Sequence, residues 1–376
     1  MNISPKHIVA LAGCIFIAPF FFFSAMAGRI SDRISKSRFI VWVKAAEIII
    51  MALGALGFAL GDLRLLLVVL FFMGLQSAFF GPAKYSIIPE LVPRDELLKS
   101  NALIESGTFL AILLGTIVGG LVAASPTLHA VLGPMVIVVA VLGLMASFQI
   151  QRTEQCRGGS RTVLGTFALL RLLYMQRPLF FIALGISWFW FFGAVCLSVL
   201  PVYAADVLHV NAHVMTLFLA LFCIGIGIGS WLCARLNQTY SKERLISLGA
   251  WGMSFCSLIL YGLGAPLNME LRDLATFIAD YHGASISCIL MMMAMACGVY
   301  SVPLYTLLQE RSERVVRSQA IAANNVLNAL MMVIASGCLM AAYGLGFTVP
   351  QIFGVLAILN MFAWALFTRC DRCPDI

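Results

Sequence analysis

The sequence predicts an all-α integral membrane protein with eleven transmembrane helices. Three observations carry that prediction. Hydrophobic residues make up 61% of the 376-residue chain and charged residues only 11%, where a soluble globular domain carries about 25% charged residues. Mean hydropathy is +0.98. The apolar residues also collect in runs long enough to cross a hydrocarbon core as a helix, which takes about 20 residues.

Those runs lie near 8–27, 40–61, 65–83, 98–124, 129–150, 179–204, 214–234, 245–265, 284–308, 319–343 and 347–368. The first begins near Ile8 with no clear cleavage site, so it reads as a spanning helix and not as a secretory signal. A short basic stretch follows it, Gly28-Arg29-Ile30-Ser31-Asp32-Arg33-Ile34-Ser35-Lys36-Ser37-Arg38. Gly28 suits a close backbone approach or a helix stop. Asp32 can cap the start of a neighbouring helix and complement its positive dipole end. Arg33, Lys36 and Arg38 hold this loop on the cytoplasmic side, where Lys and Arg accumulate.

Alternating from there, the segments around 84–97, 151–178, 235–244 and 309–318 fall inside, and so does the tail. Of the 24 basic residues only Lys6, Arg64 and Arg272 fall outside. The net charge of +7 is therefore a topological signal and implies no nucleic-acid partner. An odd number of spans places the N-terminus outside and the C-terminus in the cytoplasm.

The basic loop at 151–178 divides the chain into an N-terminal bundle of five spans, 1–150, and a C-terminal bundle of six spans with a short tail, 179–376. A parallel repeat links the two. Gly229-x-x-x-Cys233-Ala234-Arg235 recurs at an offset of 201 from Gly28. Tyr85 through Glu90 pairs with Tyr305 through Glu310 at 220, and Lys99-Ser100-Asn101-Ala102 with Arg317-Ser318-Gln319-Ala320 at 218. The span 179–204 has no counterpart in the first half, and its projected partner would precede residue 1. The expectation is two parallel six-helix bundles with the first helix absent.

Several polar residues sit within the spans, where charge usually faces a cavity or a partner. Glu105 lies about two turns into 98–124, with Asn101 one turn earlier on the same face. It lines a transport pathway or completes a structural ion pair. Lys84 closes the third run in Gly81-Pro82-Ala83-Lys84-Tyr85, where Pro82 is expected to interrupt the helix. Its ammonium can meet a phosphate as a point charge or snorkel to the interface. Lys44 and Glu47 read as a local pair. Asn324, Asn325 and Asn328 line a cavity or bond between helices. The aromatic run Trp188-Phe189-Trp190-Phe191-Phe192 forms an interface belt or, turned inward, a wall for an acyl chain. Gly225-x-Gly227-x-Gly229-Ser230 lies in a span without a preceding strand, so it reads as helix packing; Gly115-x-x-x-Gly119-Gly120 reads likewise.

No enzyme constellation emerges. The five His are scattered, and neither a Walker loop nor the H-x-x-x-x-D of a glycerolipid acyltransferase occurs. The eleven Cys lie mostly inside apolar runs as small hydrophobes, and Cys370-x-x-Cys373 in the tail has no neighbouring ligand set, so no metal or cofactor is expected.

The G-x-x-x-D-R-x-x-x-x-R form of Gly28–Arg38 resembles the loop signature between the second and third helices of the major facilitator superfamily. Gly81-Pro82-Ala83-Lys84-Tyr85, Glu90-Leu91, Asn101-Ala102-Leu103-Ile104-Glu105 and Ala111-Ile112-Leu113-Leu114-Gly115 resemble the bacterial lysophospholipid transporters within it. Ile186-Ser187-Trp188-Phe189-Trp190-Phe191 is similar to the matching helix of longer proteins that join such a transporter to a lysophospholipid acyltransferase. The likeness covers the chain from residue 8 onward, but the family's first helix, with its embedded acid, has no counterpart. The resemblance implies a multi-pass protein of the bacterial inner membrane. It would flip lysophospholipids such as lyso-phosphatidylethanolamine inward by alternating access, with re-acylation by a separate lysophospholipid acyltransferase. Glu105 and Asn101 would meet the headgroup ammonium and Lys84 the phosphate. Trp188, Asn324 and Asn328 would line the same cavity, and Gly28, Asp32, Arg33 and Arg38 would form a cytoplasmic gate. Two other readings stay open on the residues: an exporter of small amphipathic compounds, and a truncated membrane remnant that does not transport.

Overall fold

In hydrocarbon a backbone must satisfy its own N–H and C=O groups, so the apolar runs become helices. The computed structural model describes residues 5–125, 129–153, 165–263 and 273–370. In order these form α1 (Pro5–Arg33), α2 (Lys36–Leu60), α3 (Leu63–Leu91), α4 (Leu97–Ala124), α5 (His129–Ser147), α6 (Thr166–Met175) and α7 (Arg177–Val202). Then come α8 (Ala212–Leu236), α9 (Lys242–Leu263), α10 (Leu274–Ala279), α11 (Tyr281–Arg311), α12 (Arg317–Gly344) and α13 (Val349–Cys370). Among the described residues, eleven helices are long and apolar enough to cross a membrane; the two short ones, α6 and α10, are not among them. Arg157, Arg161, Arg272, Arg372 and Cys373, which entered the topology and tail readings, lie outside the described residues.

Local chemistry sets the ends. The α2–α3 turn needs only Gly61 and Asp62. Gly61 takes the left-handed conformation at φ 62° and returns its N–H to Phe58, and the Asp62 carboxylate then accepts the N–H groups of Arg64 and Leu65. Asn211 caps α8 in the same way through His213 and Val214.

Three sequence expectations need correction. The basic stretch after the first span is mostly helix: α1 continues to Arg33 and α2 resumes at Lys36, so Gly28 is no helix stop. Pro82 does not interrupt the third helix, which runs through Pro82 and Pro89 to Leu91 and places Lys84 within it. Proline is tolerated inside spans where surrounding groups satisfy the freed carbonyls. The segment 151–178 is also more than a loop, because it holds α6.

The chain forms two compact units, each assembled from separated stretches. The first comprises 1–94, 118–180 and 308–329; the second comprises 95–117, 181–307 and 330–376. In the first, α1 packs on α3 so closely that a side chain at Gly74 would strike the Phe16 backbone. α2 packs between α3 and α5, and α6 rests on α1 through the Thr166 hydroxyl, which donates to the Phe21 carbonyl. Leu169 and Leu173 of α6 are buried there, while Phe167 is 90% exposed.

In the second unit, Gly225 and Gly229 of α8 bring it against Met291, Ala294 and Met295 of α11, and Gly249 of α9 meets Ala296 and Tyr300. Small residues at these crossings let backbones approach, which gives dispersion and polar contacts their reach where hydrophobicity offers little drive. The Gly225–Gly229 expectation is met. Gly115, Gly119 and Gly120 are different, for a Cβ added at any of them meets nothing within 4 Å.

Candidate functional site

The last turn of α1 carries the most developed polar site. Asp32 is 2% exposed and sits against the start of α12, 286 residues further along the chain. One carboxylate oxygen accepts the Ser318 N–H at 3.0 Å. The other accepts the Gln319 N–H and the Gln319 side-chain amide, both at 3.2 Å. α12 begins at Arg317, so these are first-turn N–H groups without an intrahelical acceptor. Asp32 supplies from a distant stretch what an N-cap supplies locally, and its charge complements the dipole end it faces.

The helices can approach because position 28 is glycine. A Cβ there would lie 2.8 Å from the Ala322 Cβ and 3.0 Å from the Gln319 Cα. Gly28→Leu is therefore expected to destabilise the protein by about 1–3 kcal/mol through overpacking, whereas Gly115→Leu, with open space at its Cβ, should leave the thermal melt nearly unchanged. Paired melts in detergent check this.

A hydroxyl relay runs beside the carboxylate. Ser31 donates to Ser318 at 3.1 Å, and Ser318 donates to Ser86 at 2.8 Å, joining α1, α12 and α3 at fully buried atoms. Gln309 at the end of α11 donates to the Tyr85 carbonyl at 3.0 Å. Lys36 and Glu90 form a buried ion pair at 2.6 Å, with Arg314 3.9 Å from the same carboxylate oxygen. In the sequence Lys36 had only a topological role and was not paired with Glu90, and Ser318 was not placed against Asp32, because both contacts join distant stretches of the chain. Arg33 and Arg38, which the sequence grouped with Asp32, are both exposed. The buried cation of this turn is Lys36.

The other sequence-predicted residues fall into two groups. Lys84, Asn324 and Asn328 belong to the first unit. Lys84 is half-buried with its ammonium 5.1 Å from the Tyr85 ring centre; Asn324 and Asn328 are buried in α12. Lys44 and Glu47 pair at 2.6 Å, and Gln76 donates to the same Glu47 oxygen at 2.7 Å, as the local-pair reading expected.

Asn101, Glu105 and Trp188 belong to the second unit. Asn101 and Glu105 are 2% and 3% exposed on one face of α4, and Asn101 donates to the Thr306 hydroxyl at 3.1 Å. Trp188 is stacked on Phe191, ring centres 4.9 Å apart, and its indole N–H donates to Asn360 at 2.8 Å. Asn360 in turn donates to the Ala250 carbonyl and to the Ser254 hydroxyl, both at 2.8 Å. Trp188 is thus anchored by α9 and α13. The sequence signal was a lone Asn inside the last apolar run. Asn360→Leu removes the acceptor of the partly buried indole N–H and the donor to the Ala250 carbonyl, and should lower stability by about 1–3 kcal/mol, read as a melt shift that Asn360→Gln partly restores. Beside this anchor, Phe191, Val195, Leu339, Ala342, Ile352 and Leu356 line an apolar cleft of about 300 Å³.

Comparison with known proteins adds the following. The family model described as Major Facilitator Superfamily matches residues 2–336. A protein called lysophospholipid transporter LplT from Enterobacter sp. (strain 638) is 28% identical over 362 residues, covering 93% of this chain and 85% of its own length. One of the same name from Klebsiella pneumoniae (strain 342) is 26% identical over 361 residues, covering 94% and 83%. Among solved structures, the transporter FucP in its outward conformation superposes with a TM-score of 0.77 at 12% identity, over 98% of this chain and 91% of that one. A bacterial homologue of the iron transporter ferroportin, outward-facing, gives 0.71 at 15% identity over 98% and 91%.

Proposed function

The chain belongs to the major facilitator superfamily, and from that premise we propose that it carries lysophospholipids inward across the bacterial inner membrane by alternating access. The observation that carries this reading is the likeness to lysophospholipid transporters along 93–94% of the chain. A family of membrane transporters and eleven apolar helices make this a multi-pass transporter and no enzyme.

Taken unit by unit, the residues carry chemistry that fits the substrate. A lysolipid needs a polar patch for its head and an apolar wall for one tail. Glu105, with Asn101 beside it, offers a carboxylate to an ammonium. Lys84 offers a cation to a phosphate. The apolar cleft beside Phe191 offers methylene contact to a tail. In this reading Gly28, Asp32, Arg33 and Arg38 form the cytoplasmic gate, with Asp32 holding the start of α12 as its lock, and Asn324 and Asn328 are substrate-facing amides of the first unit. Residues 1–150 and 179–376 are two bundles related by duplication, joined by 151–178. Their paired motifs support this, since they sit at matching helix ends: Gly28 and Gly229 near the ends of α1 and α8, Tyr85 and Tyr305 near the ends of α3 and α11, Lys99 and Arg317 at the starts of α4 and α12. The C-terminus faces the cytoplasm and the N-terminus the periplasm. A separate lysophospholipid acyltransferase re-acylates the delivered lipid.

The test compares membrane vesicles with and without the protein. Saturable accumulation of labelled lyso-phosphatidylethanolamine, lost in Glu105→Gln, is expected. Extrusion of an amphipathic cationic dye without lysolipid movement would replace this reading with the exporter one.

A further inference from the structure

A second groove lies well apart in sequence from the Asp32 site, within the second unit, where the first turns of α4 meet the last turns of α8. Its volume is about 570 Å³. Its apolar floor is made by Ala102, Leu103, Ile228 and Trp231, and its rim holds Lys99 and Arg235. No carboxylate lines it among the described residues. Leu103 and Trp231 are 63% and 54% exposed, so the floor opens on a face that bilayer covers when these helices span it. The two cations sit at helix ends, Lys99 in the first turn of α4 and Arg235 in the last turn of α8, where the ends of spanning helices meet lipid headgroups. Arg235 is held in place, its guanidinium 5.1 Å from the centre of the Trp231 ring. The floor is closed by the Ser106 hydroxyl, which donates to the Gly227 carbonyl at 2.9 Å. It is kept open by Gly227, where an added Cβ would find nothing nearer than 3.9 Å.

We propose that this groove seats an anionic diacyl phospholipid, bound as a resident ligand and not as cargo. The argument is charge complementarity over an apolar track. Two cations without a carboxylate favour a headgroup whose net charge is negative over a zwitterion, whose ammonium would find no partner here. The floor, running inward from the cations, takes an acyl chain along Leu103 and Ile228 while the phosphate stays at Lys99 and Arg235. The assignment to the cytoplasmic leaflet rests on the orientation proposed above; the binding itself does not, and the experiment reads binding alone, so its failure leaves the transport reading standing.

The full-length protein in mild detergent is incubated with dioleoyl phosphatidylglycerol or dioleoyl phosphatidylcholine, and retained lipid is counted by native mass spectrometry. Phosphatidylglycerol is expected to be retained preferentially. Lys99→Gln/Arg235→Gln should weaken its retention about 30-fold, the combined effect of two interfacial cations. Gly227→Leu, which fills the floor and keeps both charges, should weaken it as well. Lys242→Gln/Arg244→Gln, cations outside the groove at the start of α9, should not. Equal retention of the two lipids overturns the proposal. So does a Lys99/Arg235 double variant or a Gly227→Leu variant that retains phosphatidylglycerol like the parent. Displacement by inorganic phosphate, or equal binding of single-chain lysophosphatidylglycerol, would likewise overturn the assignment to a diacyl lipid.

Discussion

Asp32→Asn is expected to lower the hydrogen-exchange protection of the Ser318 and Gln319 amides by about 10- to 100-fold, the effect of losing bonds to a charged acceptor worth roughly 1.5–3 kcal/mol. The reason is local to the start of α12. Its first-turn N–H groups have no other acceptor from their own helix, and both lie against the Asp32 carboxylate at 3.0 and 3.2 Å. An asparagine keeps one carbonyl oxygen but turns an N–H₂ toward further donors, and it carries no charge for the dipole end. A peptide spanning 312–322 reports the effect by mass spectrometry. Asp62→Asn, which uncaps only the exposed start of α3, serves as the comparison and should leave that peptide unchanged. Unaltered protection in Asp32→Asn would remove the lock from this account. If the lock takes part in transport, lysolipid uptake falls in the same variant.

Lys36→Met is the second substitution with a large expected effect. The Lys36–Glu90 pair is 2.6 Å long with side chains 3% and 5% exposed. Removing one partner of such a pair leaves an uncompensated buried charge and costs about 3–5 kcal/mol. Arg314, 3.9 Å away and half-exposed, is too weakly placed to replace the ammonium, and the second Glu90 oxygen has no hydrogen-bond partner to share the load. The double variant Lys36→Met/Glu90→Leu should recover most of the loss, because it exchanges the pair for apolar packing. Arg38→Gln, exposed on the same turn, should stay within about 0.5 kcal/mol of the parent. Thermal melts of the parent, Lys36→Met, Glu90→Leu and the double variant form the cycle, and additive single losses would show that the pair does not couple.

The fold was legible because a run of about 20 apolar residues has few other fates. The eleven runs agree with the eleven long helices to within a few residues at most ends. What the runs could not reveal was α6. Ten residues are too short to span, and its two buried leucines only matter once α1 is beside them. The site was half legible. Asp32 is the kind of residue that caps a helix, but the first amide it caps, Ser318, lies 286 residues away. Lys36 and Arg38 look alike in sequence, and only the carboxylate of Glu90 distinguishes them. Glycine spacing worked at Gly225 and Gly229 and misled at Gly115 and Gly119, since spacing names a face and not what faces it. For Trp188 the sequence left belt and cavity wall open, and its anchor could not be read because Asn360 lies 172 residues downstream.

The proposed repeat also holds an asymmetry between its two motifs. Cys233 occupies, at an offset of 201, the place of Asp32. It is buried among Leu98, Ala102, Leu245, Val299 and Val302, with its thiol 3.8 Å from the Val299 carbonyl. One copy of the motif caps a helix with a carboxylate; the other packs the start of α4 with apolar contact. The two motifs therefore respond differently to the same substitution: a carboxylate is bonded at Asp32, while one placed at Cys233 would be buried among apolar side chains.

The central claim is that this chain moves lysolipids. The most direct measurement reconstitutes the purified protein into liposomes bearing fluorescent lyso-phosphatidylethanolamine and follows its extraction by external albumin. Saturable transfer between leaflets, with the diacyl analogue left in place, is the predicted result. Transfer no faster than in protein-free liposomes, at a protein density confirmed in the same vesicles, would contradict it.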